Sequence, residues 1–159
     1  MKPRNLLFIM SDEHNRRVLG CHGHPMIRTP NLDRLAKDGM KLTQHYSGSN
    51  VCAPSRCALM SGLHPGHGYI RENRPAKGYD EGQEPVPHGA CTLPLRLQAR
   101  GYVTGLFGKW GLGPVGSTGD PSKQGISRWY GFNCQAVAHN YYPTHLWDDG
   151  RRVMLDNPP

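Results

Sequence analysis

The sequence predicts an α/β fold, with a mixed, mostly parallel sheet flanked by helices on both faces. Three observations carry this: an apolar run near the start closes on an acidic pair, strand-like and helix-like blocks alternate, and long Gly/Pro-rich stretches separate them. Such alternation is the mark of layered α/β domains. At 159 residues the chain is long enough for one domain with its own core, and residues 1–159 are read as one unit.

The elements follow in order. "NLLFIM" reads as a buried parallel strand over residues 6–10, delivering Asp12 and Glu13 beyond its carboxyl end, where ligands gather in open α/β sheets. "TPNLDRLAKDG" predicts a helix: Thr29 as N-cap, Pro30 at the first helical position, Leu32 and Leu35 on one face, and Gly39 as the stop. "MKLTQHY" alternates Met40, Leu42 and Gln44 and predicts a second strand. Residues 54–61 predict a helix closed by Gly62, its first turn just after Cys52.

"CTLPLRLQARGYVTGLFGKW" repeats the grammar, with Thr92 as cap, Pro94 early, Arg100-Gly101 as the stop, and a strand over 102–107 delivering Lys109. Asp149-Gly150 between two apolar segments predicts a hairpin. Residues 63–91 and 111–131 are polar and rich in Gly and Pro, and read as long site-forming loops.

Composition narrows the function. The net charge of +7 comes from dispersed Lys and Arg without a run of five, so it suits a small anionic ligand or sugar and gives no nucleic-acid signature. The apolar opening is too short for a signal h-region or a membrane span, so the chain as written reads as cytoplasmic, and as periplasmic or secreted only with a different start. Five cysteines without C-x-x-C spacing argue against a disulfide framework or a zinc site. Cys21, Cys57, Cys91 and Cys134 are read as small buried or half-buried residues. Gly111, Gly113 and Gly116 spell G-x-G-x-x-G, but Pro114 interrupts them and no helix start follows, so a dinucleotide site is rejected. The group Cys21, His22 and His24 lacks a fourth ligand and reads as loop packing.

Cys52, Pro54 and Arg56 form C-x-P-S-R, followed by Leu59 and Ser61-Gly62. This resembles the signature of the type I sulfatases, formylglycine-dependent arylsulfatase-like enzymes of the alkaline phosphatase superfamily. "NLLFIMSDEH" is similar to that family's first strand and acidic metal pair, and "TPNLDRLAKDGMKLTQHY" to the segment leading to the signature. "LFGKWGLG" is similar to its lysine motif, and "QGISRWYGFNCQAVAHNYYPTHLW" to a stretch downstream of that motif in a bacterial branch.

The resemblance implies a sulfuric ester hydrolase whose Cys52 is oxidised by a formylglycine-generating maturation enzyme to formylglycine (3-oxoalanine). One hydroxyl of the aldehyde hydrate, held by a divalent cation, would attack sulfur and expel the alcohol; the second would release sulfate and restore the aldehyde. It implies Asp12, Glu13 and the converted Cys52 as ligands of Ca2+, with Mg2+ as the alternative ion. Glu13 departs from the family's second aspartate. Arg56 and Lys109 are implied to hold the sulfate. A helix start after Cys52 would add unpaired backbone N–H groups and the positive end of the helix dipole. The family's histidine two residues after the lysine is Gly111 here, and His139 is the candidate replacement. His139 and Tyr69, with Arg71 and Asn73 beside the latter, are the candidate substrate-binding residues.

The implied substrate is a sulfated small molecule or a sulfated glycan. Family chains are much longer and carry further metal ligands, so the chain is expected to be an N-terminal portion, inactive by itself. Two alternatives stand beside this one: a phosphonate or phosphate ester hydrolase of the same superfamily, and a basic, non-catalytic binding module derived from it.

Overall fold

A computed structural model describes residues 4–156 and divides into two compact units, Met1–Tyr46 and Ser47–Pro159. The first unit holds two short 3-10 turns, Arg16–Val18 and Gly20–His22, and helix α1, Pro30–Asp38. Thr29 sits at the N-cap of α1 with Pro30 in the first turn, as expected, but its side chain does not cap the helix. Thr29 Oγ1 accepts from Gly20 N at 2.8 Å and donates to Asp33 Oδ1 at 2.8 Å, while Cys21 N donates to the same Asp33 oxygen at 2.6 Å. The threonine thus joins the helix to the preceding turn. His24 Nδ1 accepts from the backbone N–H of Ile27 at 2.8 Å, a loop-packing role.

The strands expected over residues 6–10 and 40–46 are not formed. Leu7 and Ile9 are 83% and 80% exposed, and no described residue of this unit is buried. The physical reason is that a strand exists only through ladder partners, and neither segment has one among the described residues. Periodicity reports which residues seek burial, and pairing is decided elsewhere.

The second unit contains α2 (Cys52–Ser61), α3 (Leu93–Gln98) and a four-stranded mixed sheet in the order β1 (Gly105–Lys109), β2 (Arg128–Phe132), β3 (His145–Asp148), β4 (Arg151–Met154). β1 and β2 run parallel, with Lys109 opposite Phe132; the other neighbours are antiparallel. The strand expected over 102–107 begins three residues later, and β2 lies where a loop was expected, at the end of the 111–131 stretch. Its Trp129, Tyr130 and Phe132 carry the strand propensity that the surrounding glycines mask. A 3-10 turn, Pro121–Gln124, also falls within that stretch.

Ala53 and Cys57 from α2 join Ile70, Val86, Ala90, Trp110, Leu112, Ile126 and Trp129 in the core. Positions 53 and 57, one helical turn apart, bury one face, so Cys52 and Arg56 fall on the flank and remain half-buried. Trp110, 1% exposed, donates Nε1–H to Gly119 O at 2.8 Å and pins the chain just past β1. No disulfide joins the cysteines among the described residues; Cys57 and Cys134 are buried and Cys21 is half-buried. Cys91 is exposed, against expectation, because it precedes the N-cap of α3 while its neighbour Thr92 takes the buried place and donates to Gln124 O at 2.9 Å.

Asp149-Gly150 closes the expected hairpin, with φ of 45° and 88°, the pair of positive φ angles that a two-residue β turn of this kind demands. The Trp129 N–H donates to Asp149 Oδ1 at 2.6 Å and Arg128 pairs with Asp148 and Asp149. That backbone bond first, and the Arg128 guanidinium second, hold the Asp149 carboxyl below the usual carboxylate range. A carboxyl depressed in the folded state adds stability above its unfolded value, about pH 4, and loses it as pH falls through the folded value. Asp149→Asn is therefore expected to flatten the fall in stability below about pH 4, read as urea midpoints across pH.

The long loop ahead of α3 is tied to the same hairpin. Glu81 accepts from Trp147 Nε1, meets His145 Nε2 at 2.8 Å and lies 3.5 Å from the Arg152 guanidinium, which stacks over the Trp147 ring at 5.2 Å.

Candidate active site

α2 starts at Cys52, two residues before the expected start, so the cysteine is itself the first helical residue. The N-cap, Val51, is extended and has no side chain able to accept a hydrogen bond. Of the N–H groups in this turn, Pro54 has none, Ser55 N bonds Val51 O at 3.0 Å, and Ala53 N donates to Asn73 Oδ1 at 2.9 Å. The expectation of unpaired N–H groups beside residue 52 is thus corrected at Ala53. The positive end of the helix dipole remains there.

Arg56 follows Cys52 by one turn, and its NH1 donates to the backbone carbonyl of Lys109 at 2.6 Å. This bond spans 53 residues and fixes the signature helix to the end of β1. Lys109, the last residue of β1, places Nζ 2.8 Å from His139 Nε2. A lysine ammonium only donates, so Nε2 is the acceptor of this pair. His139 ends a short 3-10 turn, Val137–His139, and one of its ring nitrogens lies within 4.8 Å of Cys52 Sγ. Four predicted residues, Cys52, Arg56, Lys109 and His139, are therefore brought together within the second unit.

Tyr69 is 41% exposed and its hydroxyl has no hydrogen-bond partner among the described residues. Arg71 donates to Gly66 O at 2.8 Å, inside its own loop. Asp12 and Glu13 belong to the first unit; both are exposed, and Glu13 has a left-handed φ of 51°. Their carboxylates suit a hard cation, but two side chains do not make up the six to eight oxygens that calcium takes. The donor type fits; the sphere is not completed by these two residues.

Gln135 was not among the expected residues. An ideal Cβ on Gly111 would lie 1.5 Å from Gln135 Nε2, so the glutamine amide fills the space a side chain at 111 would use. It is 3% exposed, both its amide atoms lack hydrogen-bond partners among the described residues, and its backbone N–H is held by Gln83 Oε1 at 2.8 Å. A glycine where the related motif has histidine was the available signal: something else had to occupy that volume.

Comparison with known proteins decides the family. The family model described as Sulfatase matches residues 4–153. The chain belongs to the sulfatase family. It is 40% identical to the steryl-sulfatase of Mus musculus over 118 residues, covering 70% of this chain and 18% of that protein. To the N-acetylglucosamine-6-O-sulfatase of Bacteroides thetaiotaomicron it is 29% identical over 153 residues, covering 96% and 25%. Among solved structures, it matches a protein in complex with its substrate D-glucosamine-2-N,6-O-disulfate at a TM-score of 0.74 and 27% identity, covering 95% of this chain and 27% of that one. This sulfatase chain thus spans about a quarter or less of these proteins. The mixed sheet with flanking helices is the fold shared with those sulfatases. Among the described residues, no helix is long and apolar enough to cross a membrane.

Proposed function

We propose that this chain carries the nucleophile-bearing part of a sulfuric ester hydrolase acting on a sulfated glycan, or on a smaller sulfated molecule. The observation that carries the reading is the convergence of Cys52, Arg56, Lys109 and His139 at one helix start and one strand end. A sulfate ester repels nucleophiles by its own negative charge. A site for it therefore needs fixed cations around an activated oxygen.

Residue 52, converted to formylglycine (3-oxoalanine) by a maturation enzyme, would supply that oxygen through the aldehyde hydrate. Arg56, anchored on the Lys109 carbonyl, holds a permanent charge one turn from it; Lys109 adds a second. His139, with a ring nitrogen within 4.8 Å of the position 52 side chain, is assigned to the substrate side of the site. Tyr69 is assigned to the substrate side. Asp12 and Glu13 are the residues that would hold the divalent cation, Ca2+ or Mg2+, which when bound would neutralise sulfate charge. Since two carboxylates leave its sphere incomplete, the 159-residue chain alone is expected to turn over sulfate esters poorly.

Sugar sulfatases among the relatives and the sugar disulfate bound by a structural neighbour support the glycan reading, while relatives named aryl- and steryl-sulfatases support the smaller molecule. The test is to express the protein as its source makes it, with a maturation enzyme, and to assay glucosamine 6-sulfate, an aryl sulfate, an aryl phosphate and a phosphonate monoester in parallel. Sulfate ester hydrolysis is expected, with a residue 52 that has lost sulfur and two hydrogens and gained oxygen by mass. Preferential cleavage of the phosphate or phosphonate ester would assign it to the sister chemistry. An intact thiol, with ligand binding unchanged in Cys52→Ala, would make it a binding module. Lys109→Ala is expected to lower kcat/KM about a hundredfold to a thousandfold, the usual loss on deleting a fixed charge-stabilising donor.

A further inference from the structure

We propose that Asn73 is the positioning residue for position 52, acting as a helix cap supplied from twenty residues downstream; the functional part of this rests on the sulfatase reading above. Side-chain caps serve the second or third N–H of a helix. In α2 the third residue is Pro54, which has no N–H, so the Ala53 N–H is the one such group that a cap can satisfy. The Val51 side chain has no acceptor, and Asn73 Oδ1 takes that N–H at 2.9 Å. The peptide so fixed is the one joining residues 52 and 53, and its orientation sets the direction in which the residue 52 side chain leaves the helix.

The asparagine is itself held on both sides. Ile70, three residues earlier, is 1% exposed in the core. On the other side, Glu84 N bonds Arg74 O at 2.8 Å, Ala76 N bonds Gly82 O at 3.0 Å, and Pro75 bridges Gln83. A cap mounted on so fixed a loop transmits the loop's position to the reactive residue. A merely stabilising contact would need no such mounting, since a serine or aspartate at 51 could cap the same N–H locally.

That local route supplies the test. Three proteins are compared, as their source makes them and matured at residue 52: wild type, Asn73→Ala, and Asn73→Ala with Val51→Ser. Asn73→Ala is expected to speed hydrogen exchange at the Ala53 amide by about tenfold or more. It should also lower kcat by about tenfold to a hundredfold with KM little changed, the scale of a small misplacement of a reacting group. Conversion of Cys52 should stay complete. The added Val51→Ser, offering a hydroxyl to the same N–H, is expected to restore exchange protection and most of kcat.

A loss of melting temperature with kcat unchanged in the folded protein would overturn the proposal, as would a restored exchange rate without restored turnover. If wild type cleaves no sulfate ester, the functional reading fails separately; unchanged Ala53 exchange in Asn73→Ala would then overturn the cap itself.

Discussion

Cys52→Ala is expected to abolish sulfate ester hydrolysis, lowering kcat by at least about a thousandfold while leaving the fold intact. The side chain is half-buried on the flank of α2 and is not one of the core residues, which on this helix are Ala53 and Cys57. Removing it deletes no buried packing of consequence, so a melting temperature within a few degrees of wild type should accompany the loss. Cys52→Ser is expected to fare as badly, since a serine that accepted the sulfuryl group would have no second hydroxyl with which to expel it. Cys57→Ala sharpens the comparison. Its thiol, 1% exposed, contributes packing alone, and its replacement should lower stability by about 1 kcal/mol and leave turnover in place. Circular dichroism melts beside a sulfate-release assay on the same preparations check both. Turnover retained in Cys52→Ala would remove residue 52 from the chemistry.

The second large effect is expected at Gly111. Restoring a histidine two residues after Lys109, where related motifs carry one, should damage this protein. A Cβ there would lie 1.5 Å from Gln135 Nε2 and 2.6 Å from its Cδ, and the backbone φ is +72°. The left-handed conformation costs about 1–2 kcal/mol with a side chain, and forcing Gln135 aside adds about 1–3 kcal/mol of overpacking. Gly111→His is thus expected to lose roughly 2–5 kcal/mol of stability. Gln135→Gly in the same chain should recover the overpacking part and leave the backbone part. Chemical denaturation of the four proteins of this cycle measures the coupling directly. Additive effects would show that Gln135 does not occupy the histidine's volume.

How far the site could be read in advance differs from residue to residue. That Cys52, Arg56 and Lys109 would lie together was legible because each sits in a local pattern: a signature, a one-turn spacing, a strand end. The Asp149-Gly150 hairpin was visible for the same reason, since its turn type leaves few residue choices. The strands expected at 6–10 and 40–46 were apolar patterns whose pairing no local rule supplies, and they remain unpaired. β2 was missed because glycines and polar neighbours hid three aromatic residues. Asn73 drew attention as a loop residue beside the signature, but its contact with Ala53 spans 20 residues. Gln135 faces Gly111 across a fold-dependent gap. Contacts of that kind are properties of the assembled backbone.

The loop from Asn73 to Glu84 has a consequence beyond its own stability. Asn73 braces one flank of the site at Ala53, Gln83 accepts the backbone N–H of Gln135 on the other, and Glu81 anchors the whole loop to the far hairpin through Trp147, His145 and Arg152. The loop is a crossbar between α2 and the segment that carries His139. Releasing Glu81 from Trp147, His145 and Arg152 is therefore expected to loosen both flanks together and to disturb the placing of residue 52 against His139 from the hairpin side.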